Sequence, residues 1–261
     1  NLKYILSFFK PVPIKFLEGF LSWSEAQNKI DKDYADERII KNCKNAAIKV
    51  LNGEACYERD GVVFQENSFN DLFLASLVSM KMNISIRILD IGGSLGSLYL
   101  QHKSILDKFE ELEWIILEQK EFVREGNQIF TDKRLKFIES LSDLDGNNKF
   151  DIIILSSSIQ YFEDIETIIR DVKSIKSKII LFLRTPFHEG KNHEIMIQQS
   201  KIGIKSAYPL RILSRKKFIK SFKEGYEIIV ENASNIEMPF YSNKNTKIIF
   251  KNFLLERKDE K

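Results

Sequence analysis

From Ile84 onward, short apolar runs alternate with amphipathic segments of helical periodicity. This alternation is typical of parallel strands joined by crossover helices, and it predicts an α/β fold with a doubly wound sheet. The predicted strands are Ile86–Ile91, Glu113–Leu117, Leu135–Ile138, Asp151–Ser156 and Lys178–Arg184. The predicted helices are Ser97–Phe109, Glu121–Phe130, Asp164–Ile175 and Ser214–Lys223. Two late strands, near Tyr226–Glu231 and Thr246–Leu255, are expected to add an antiparallel edge to a mostly parallel sheet.

The first third of the chain follows a helical pattern instead. Ser22–Asn52 fits two helices divided near Asp31–Tyr34, and Asn70–Lys81 fits another. Between them, Val62–Phe64 is predicted as a short strand or an extended arm. We therefore predict an N-terminal helical cap on the substrate side in residues 1–83, and a cofactor-binding domain in residues 84–261.

The segment Leu2–Leu21 mixes Phe, Leu and Ile with lysines. Such a segment is compatible with an anionic membrane surface. Pro11 and Pro13 interrupt a helix there, so packing onto the domain is the favoured interpretation.

The composition argues against a nucleic-acid-binding protein, a metal site and a membrane-spanning helix. The 40 Lys and Arg against 37 Asp and Glu give a net charge of +3 over 261 residues, so nucleic acid is not an expected partner. Cys43 and Cys56 lie outside any zinc-ligand spacing, and no metal site is expected. No apolar stretch approaches the ~20 residues of a membrane-spanning helix, which favours the cytoplasm.

A candidate cofactor site lies in Ile86–Gln101, which reads IRILDIGGSLGSLYLQ. Gly92, Gly93 and Gly96 permit positive φ and close approach of the backbone to a ligand. The amides at the start of the following helix would face that ligand. A tight structural turn is the alternative.

Two acidic residues near this segment indicate which cofactor it would bind. Glu118 ends the second predicted strand, where a carboxylate suits the two hydroxyls of a ribose, although a solvated carboxylate is the alternative. Asp90 precedes the glycines and disfavours a diphosphate, but it suits a cofactor whose amino-acid end carries an ammonium group. A sulfonium cofactor, S-adenosylmethionine, therefore fits better than NAD.

The fourth predicted strand ends in a further polar segment, Ser156–Tyr161, which reads SSSIQY. Polar groups at the carboxyl edge of such a sheet commonly form ligand sites. Helix capping by the serines is the alternative, and it applies less to Gln160 and Tyr161.

Short motifs extend over roughly Phe20–Phe253: SWSEA at Ser22–Ala26, ERDG at Glu58–Gly61, ILDIGGSLGSLY at Ile88–Tyr99, WxxxE at Trp114–Glu118, SSSIQY, LRTPF at Leu183–Phe187 and YPLRILS at Tyr208–Ser214. In these motifs the chain resembles bacterial methyltransferases whose genes accompany surface-polysaccharide synthesis, especially O-antigen and capsule loci. The resemblance implies a Rossmann-like class I methyltransferase fold. It implies cofactor-binding roles for Asp90, Gly92, Gly93, Gly96, Glu118, Ser157, Gln160 and Tyr161. Leu95 and Ser156, within the same segments, are further candidates for cofactor binding.

Candidate catalytic residues follow the fifth predicted strand. Methylation of an oxygen needs alignment and removal of a proton, and His188 is the candidate base, with His193 as the other. Arg184 is the candidate ligand for an anionic group on the acceptor. The alternatives are histidines bonded to backbone and an ion pair of Arg184 with Glu189.

Other residues are expected near the site or away from it. Arg59 and Asp60 are candidates to fold over the cofactor mouth, and Tyr208 and Arg211 to wall the acceptor pocket. His102 is expected on a helix surface.

The sequence thus predicts an enzyme that methylates a hydroxyl or phosphate of a glycan or sugar nucleotide. A Rossmann dehydrogenase or epimerase acting on nucleotide sugars is one alternative. A non-catalytic module that binds a glycosyltransferase or a membrane is the other. The sequence does not predict the oligomeric state.

Overall fold

The computed structural model describes residues 14–30, 37–80, 85–144, 149–200, 206–234 and 239–258. Its helices are α1 (Trp23–Gln27), α2 (Glu37–Leu51), α3 (Asp71–Ser79), α4 (Ser97–Leu106), α5 (Lys120–Ile129), α6 (Ile165–Ser174) and α7 (Arg215–Phe222), with 3-10 turns at Leu141–Asp143 and Ile159–Tyr161. Its strands are β1 (Ile14–Phe20), β2 (Tyr57–Arg59), β3 (Val62–Phe64), β4 (Ser85–Ile91), β5 (Glu111–Leu117), β6 (Leu135–Ile138), β7 (Ile152–Ser156), β8 (Ile179–His188), β9 (Glu194–Ser200), β10 (Ser206–Ser214), β11 (Tyr226–Ala233), β12 (Phe240–Tyr241) and β13 (Lys247–Arg257).

The centre of the main sheet is parallel, in the order β6, β5, β4, β7, β8. The strand order reverses between β4 and β7, which is where open α/β sheets bind ligands. The five predicted central strands and the helices between them are confirmed. The predicted antiparallel pair is confirmed as well, and β13 lies between β8 and β11, so that β11 forms the edge.

The core occupies both faces of this sheet. Ile88 and Trp114 pack with Phe73 of α3 on one face. Phe182 and Phe253 pack with Phe218 of α7 on the other. Strands that are covered on both faces read as continuous apolar runs, which explains why they were visible in the sequence.

A second group of strands was not predicted. The end of β8 pairs in parallel with β10, β10 pairs antiparallel with β9, and β9 pairs antiparallel with β1. The N-terminal region contains the predicted helices and the predicted short strand at Val62–Phe64, here β3, but its strands β1 and β2 were not predicted. The division between residues 83 and 84 stays a prediction.

The N-terminal helices agree with the sequence pattern. Asn70 caps α3, because its side chain accepts a hydrogen bond from the Phe73 amide. The expected break near Asp31–Tyr34 and the prolines of Leu2–Leu21 lie outside the described residues. Within the described part of the chain, no helix is long and apolar enough to cross a membrane.

His102 is a correction, because it is fully buried rather than on a helix surface. Its Nδ1 lies 2.9 Å from the Leu98 carbonyl oxygen, and its Nε2 accepts from the Asn70 amide at 2.8 Å. Burial lowers the pKa of His102 to about 4. The neutral ring therefore joins α4 to the start of α3.

Candidate functional site

A cavity of about 940 Å³ opens at the carboxyl edge of the parallel strands. The ends of β4, β5, β7 and β8 form its floor, and the N-terminal elements with β9 and β10 form its walls. We call two parts of it the glycine-turn side and the Arg184 side. The glycine-turn side comprises Asp90, Gly92, Gly93, Ser94 and Glu118; the Arg184 side comprises Asp60, Tyr161, Arg184, Gln198, Tyr208 and Asn252.

The turn after β4 requires glycine at Gly92. Its φ is 72°, and a Cβ there would lie 2.4 Å from the Cβ of Ser158. Ser158 cannot withdraw easily, because its hydroxyl donates to the Ile91 carbonyl at 2.6 Å. The turn thus brings the end of β4 into close contact with the segment after β7, beside the cavity.

Asp90 is fully buried at the end of β4, and its carboxylate lies against Gly93, where a Cβ would meet Oδ2 at 2.6 Å. Neither carboxylate oxygen has a hydrogen-bond partner among the described residues. Burial raises the pKa of Asp90 to about 7. The Trp114 indole partly opposes this rise, although its position falls outside hydrogen-bond geometry. A buried carboxylate of this kind needs a cationic or donating partner.

Glu118 also lies where it was predicted, at the end of β5. Its Oε1 accepts from the Ser94 amide at 3.2 Å and its Oε2 from the Gln119 amide at 2.7 Å. These bonds fix the carboxylate at the cavity, and burial raises its pKa. Glu139, which follows β6 in the same way, lines the cavity and was missed, although an acid after a parallel strand was a usable signal.

Three residues predicted to bind the cofactor do not line the cavity. Leu95 is fully buried in the core, and Gly96 begins α4 with a φ of 78°. Gln160 is buried as well, and its Oε1 has no partner among the described residues. Leu95 and Gly96 therefore support the conformation of the glycine turn and do not face a ligand in the cavity.

The serine turn after β7 does line the cavity through Ser156 and Ser157. Ser157 has a φ of 59°, and its hydroxyl donates to the Arg184 carbonyl at 3.2 Å. Ser158 makes no side-chain capping bond to the 3-10 turn that follows. The serines therefore connect strand ends, and the capping alternative does not apply to Ser158.

Arg184 lies on β8 with a φ of 51°, which is unusual for a residue with a side chain. Its amide donates to Asn252 Oδ1 at 2.8 Å, and its Nη2 donates to Ser156 Oγ at 3.3 Å. Burial and the charge of Arg59 lower its pKa to about 10. Among the described ion pairs none joins Arg184 to Glu189, so the structure brings this guanidinium to the cavity.

The two candidate catalytic histidines are not brought there. His188 is 4% exposed; its Nε2 lies 2.8 Å from the Asn192 carbonyl oxygen, and its Nδ1 accepts from the Gly190 amide at 3.2 Å. His193 accepts from the Ser214 amide at 3.0 Å, and burial lowers its pKa to about 4. Neither is among the described residues that line the cavity. The geometry therefore does not support either as the base.

The β2–β3 hairpin covers part of the cavity, and Arg59 and Asp60 line it as expected. Glu58 was missed. It is 1% exposed, accepts from the Gly61 amide at 3.1 Å and contacts the Ser97 hydroxyl at the start of α4. Burial raises the pKa of Glu58 to about 7. This carboxyl group ties the hairpin to the helix that follows the glycine turn.

Aromatic residues complete the Arg184 side. The rings of Tyr161 and Tyr208 meet edge to face, with centroids 5.7 Å apart, and Ser206 Oγ lies 2.9 Å from the Tyr208 hydroxyl. Arg211 instead lies over Trp23 and donates to the Glu163 carbonyl. It is not among the described cavity residues, so only Tyr208 of this predicted pair walls the pocket.

Known structures share this arrangement of strands and helices. An S-adenosylmethionine-dependent methyltransferase from Clostridium acetobutylicum ATCC 824 has a TM-score of 0.50 at 13% identity, covering 83% of this chain and 98% of that one. The chain has the class I methyltransferase fold. The N-terminal domain of EvdMO1, solved in the presence of S-adenosylhomocysteine and D-fucose, gives 0.51 at 14% identity, with 85% and 97% covered. No protein-family model and no curated protein matches the chain.

Proposed function

We propose that this chain is an S-adenosylmethionine-dependent methyltransferase that modifies a hydroxyl or phosphate oxygen of a sugar in a surface-polysaccharide precursor. The observation that carries the cofactor assignment is the buried carboxylate of Asp90, which borders the cavity without a partner among the described residues. A cofactor that brings an ammonium group to this point would satisfy both the charge and the hydrogen-bonding capacity of Asp90.

The rest of the glycine-turn side fits the same cofactor. Gly93 leaves open the space beside Asp90 that a Cβ would fill, and Glu118 offers carboxylate oxygens suited to a ribose diol. When bound, S-adenosylmethionine supplies an electrophilic methyl group on a positively charged sulfur. The acids of this side would stabilise that positive charge in a partly enclosed site.

Methylation of a hydroxyl releases its proton, and the cavity must accept it. Asp60 lines the cavity from the turn of the β2–β3 hairpin, at a φ of 51°. Burial raises the pKa of both Tyr161 and Tyr208; the Tyr208 hydroxyl adds to this rise at Tyr161, and the negative charge of Asp60 adds to it at both, which supports a position of Asp60 near these tyrosines. We assign Asp60 as the proton acceptor in place of His188.

A sugar acceptor is supported by two observations. D-fucose was present with EvdMO1, and the motifs of this chain resemble those of methyltransferases from polysaccharide loci. Association with a glycosyltransferase or with the inner membrane face is part of this proposal. The antiparallel position of β13 counts against the dehydrogenase alternative, because the dinucleotide-binding order continues with parallel strands.

The test is methyl transfer in vitro. Glycan from a strain that lacks the gene is incubated with the protein and S-adenosylmethionine bearing a deuterated methyl group, then measured by mass spectrometry. The proposal predicts a mass gain of one deuterated methyl group. Binding of S-adenosylhomocysteine without any transfer to glycan would instead support a non-catalytic module.

A further inference from the structure

We infer that Arg184 is an anion-binding subsite for the acceptor, so that the substrate carries a carboxylate or phosphate group near the oxygen that is methylated. This inference rests on the proposed function and names the chemical class of its substrate.

The backbone of β8 is distorted to place this side chain. Thr185 pairs with Lys251 and Phe182 with Phe253, which leaves two residues of β8 opposite Asn252 alone. Such a bulge redirects a side chain and is common beside active sites. A left-handed conformation is unfavourable for a residue with a side chain. The bond from the Arg184 amide to Asn252 Oδ1 stabilises that conformation.

The guanidinium has more donors than described partners. Of its N–H groups, one on Nη2 donates to Ser156 Oγ at 3.3 Å. Among the described residues, no carboxylate lies within 4.0 Å of it. A buried cation is stabilised chiefly by a paired anion, and a planar fork of donors suits a carboxylate or phosphate.

The charges around Arg184 also favour an anion. Burial and the charge of Arg59 both act against its protonated form, while the negative charges of Asp60 and Asp90 offset this only in part. An oxyanion bound between Arg59 and Arg184 would relieve the unfavourable interaction between the two cations.

The groups near Arg184 suit the uncharged part of an acidic sugar, its ring and its hydroxyl groups. Gln198, Ser206 and Tyr208 line the same part of the cavity and can bond hydroxyl groups, and Tyr161 offers an aromatic ring. An acidic sugar, either a uronate or a sugar phosphate, combines these features. The carboxylate of the cofactor is a second source of an oxyanion. We commit to the acceptor, because β8 lies two strands away from β4 and its glycine turn.

Calorimetry distinguishes these sources. Wild-type protein, Arg184→Gln, Arg184→Lys and the control Arg170→Gln are first titrated with S-adenosylhomocysteine. The loaded proteins are then titrated with D-galacturonate, D-galactose 1-phosphate and neutral D-galactose. Arg170 lies on the exposed face of α6 and does not line the cavity, so its substitution removes a charge outside the site. Melting temperatures confirm that each variant is folded.

We expect wild type and Arg170→Gln to bind at least one acidic sugar about tenfold or more tightly than D-galactose, as charge-assisted hydrogen bonds allow. Arg184→Gln loses this preference and keeps its affinity for S-adenosylhomocysteine, whereas Arg184→Lys retains part of the preference.

Equal affinity for acidic and neutral sugars, or no binding of either acidic sugar, overturns the inference. A tenfold loss of S-adenosylhomocysteine affinity in Arg184→Gln also overturns it, in favour of the cofactor carboxylate. Failure of wild type to bind S-adenosylhomocysteine refutes the proposed function itself.

Discussion

On the glycine-turn side of the cavity, the polar groups come from one short segment and the end of the adjacent strand, and the side chains that carry charge are acids. The Arg184 side draws its groups from the β2–β3 hairpin, the 3-10 turn after β7, and β8, β9, β10 and β13. Apart from the acid Asp60, the groups around Arg184 on this side are neutral and polar. A cationic cofactor and an anionic acceptor would each meet the opposite charge. We therefore expect the glycine-turn side to bind a fixed ligand, and we expect the ligand of the Arg184 side to vary with the sequence of several separate segments.

The largest expected effect is on the glycine-turn side. Gly92→Ala should lower the free energy of unfolding by about 2–5 kcal/mol, because a left-handed alanine is strained and its Cβ overlaps Ser158. Gly225→Ala is the matched control: its φ is also positive, at 93°, but nothing lies within 4 Å of the added Cβ. Denaturant unfolding of both variants measures the difference, and equal losses would show that the close approach to Ser158 is unimportant.

On the Arg184 side, Asp60→Asn should lower kcat about a hundredfold or more, the usual contribution of a positioned base. Affinity for S-adenosylhomocysteine should change little, because Asp60 lies outside the glycine-turn side. Release of S-adenosylhomocysteine in the presence of glycan measures turnover. Asp171→Asn, on the exposed face of α6, is the control. Turnover equal to that of wild type in Asp60→Asn would exclude the assignment of Asp60.

Asp90→Asn should stabilise the protein in the absence of cofactor. The folded-state pKa of Asp90, about 7, lies above the ordinary value of 3.8 for an aspartate, so folding is progressively disfavoured as pH rises between these values. The gain in melting temperature over wild type should therefore grow from about pH 4 to about pH 7 and then level off. Differential scanning calorimetry over this range measures it.

The wild-type protein must be compared with Asp90→Asn because His102 and His193 change the stability in the opposite direction as pH rises. Their pKa values are lowered to about 4, which makes stability rise with pH over part of the same range. Asp107→Asn is the control, since it removes a carboxylate that is paired with Lys103 and Arg134 and should not stabilise. A destabilised Asp90→Asn would mean that Asp90 has a partner in the folded protein.

The smallest effect on turnover is expected at His188. His188→Ala should leave kcat unchanged while it lowers stability by about 1–3 kcal/mol, because it leaves the Gly190 amide and the Asn192 carbonyl without their partner. The same turnover assay and a melting curve check both parts. A hundredfold fall in kcat with normal stability would restore His188 as the base.

The sequence was sufficient for the main sheet and the glycine turn, because both depend on local signals. Buried parallel strands appear as apolar runs, and a turn such as that at Gly92 needs glycine for reasons internal to the segment. Asp90 and Glu118 were found because an acid at a strand end is itself a local pattern.

The remaining features depend on contacts that are distant in sequence. β1 and β9 are paired across most of the chain, and neither carries a continuous apolar run. His188 attracted attention as a histidine after a strand, but only the fold shows that backbone groups occupy its ring nitrogens. Asp60 was predicted at the cavity, but Glu58 was missed, because its burial against Ser97 depends on where the hairpin lies in the fold.

Calorimetric titration of the wild-type protein and Asp90→Asn with S-adenosylhomocysteine tests the central claim most directly. We predict one binding site in the wild type and an affinity about tenfold to a hundredfold weaker in Asp90→Asn, since a charge-assisted hydrogen bond contributes about 1.5–3 kcal/mol. No binding by the folded wild-type protein, or equal binding by both proteins, would contradict it.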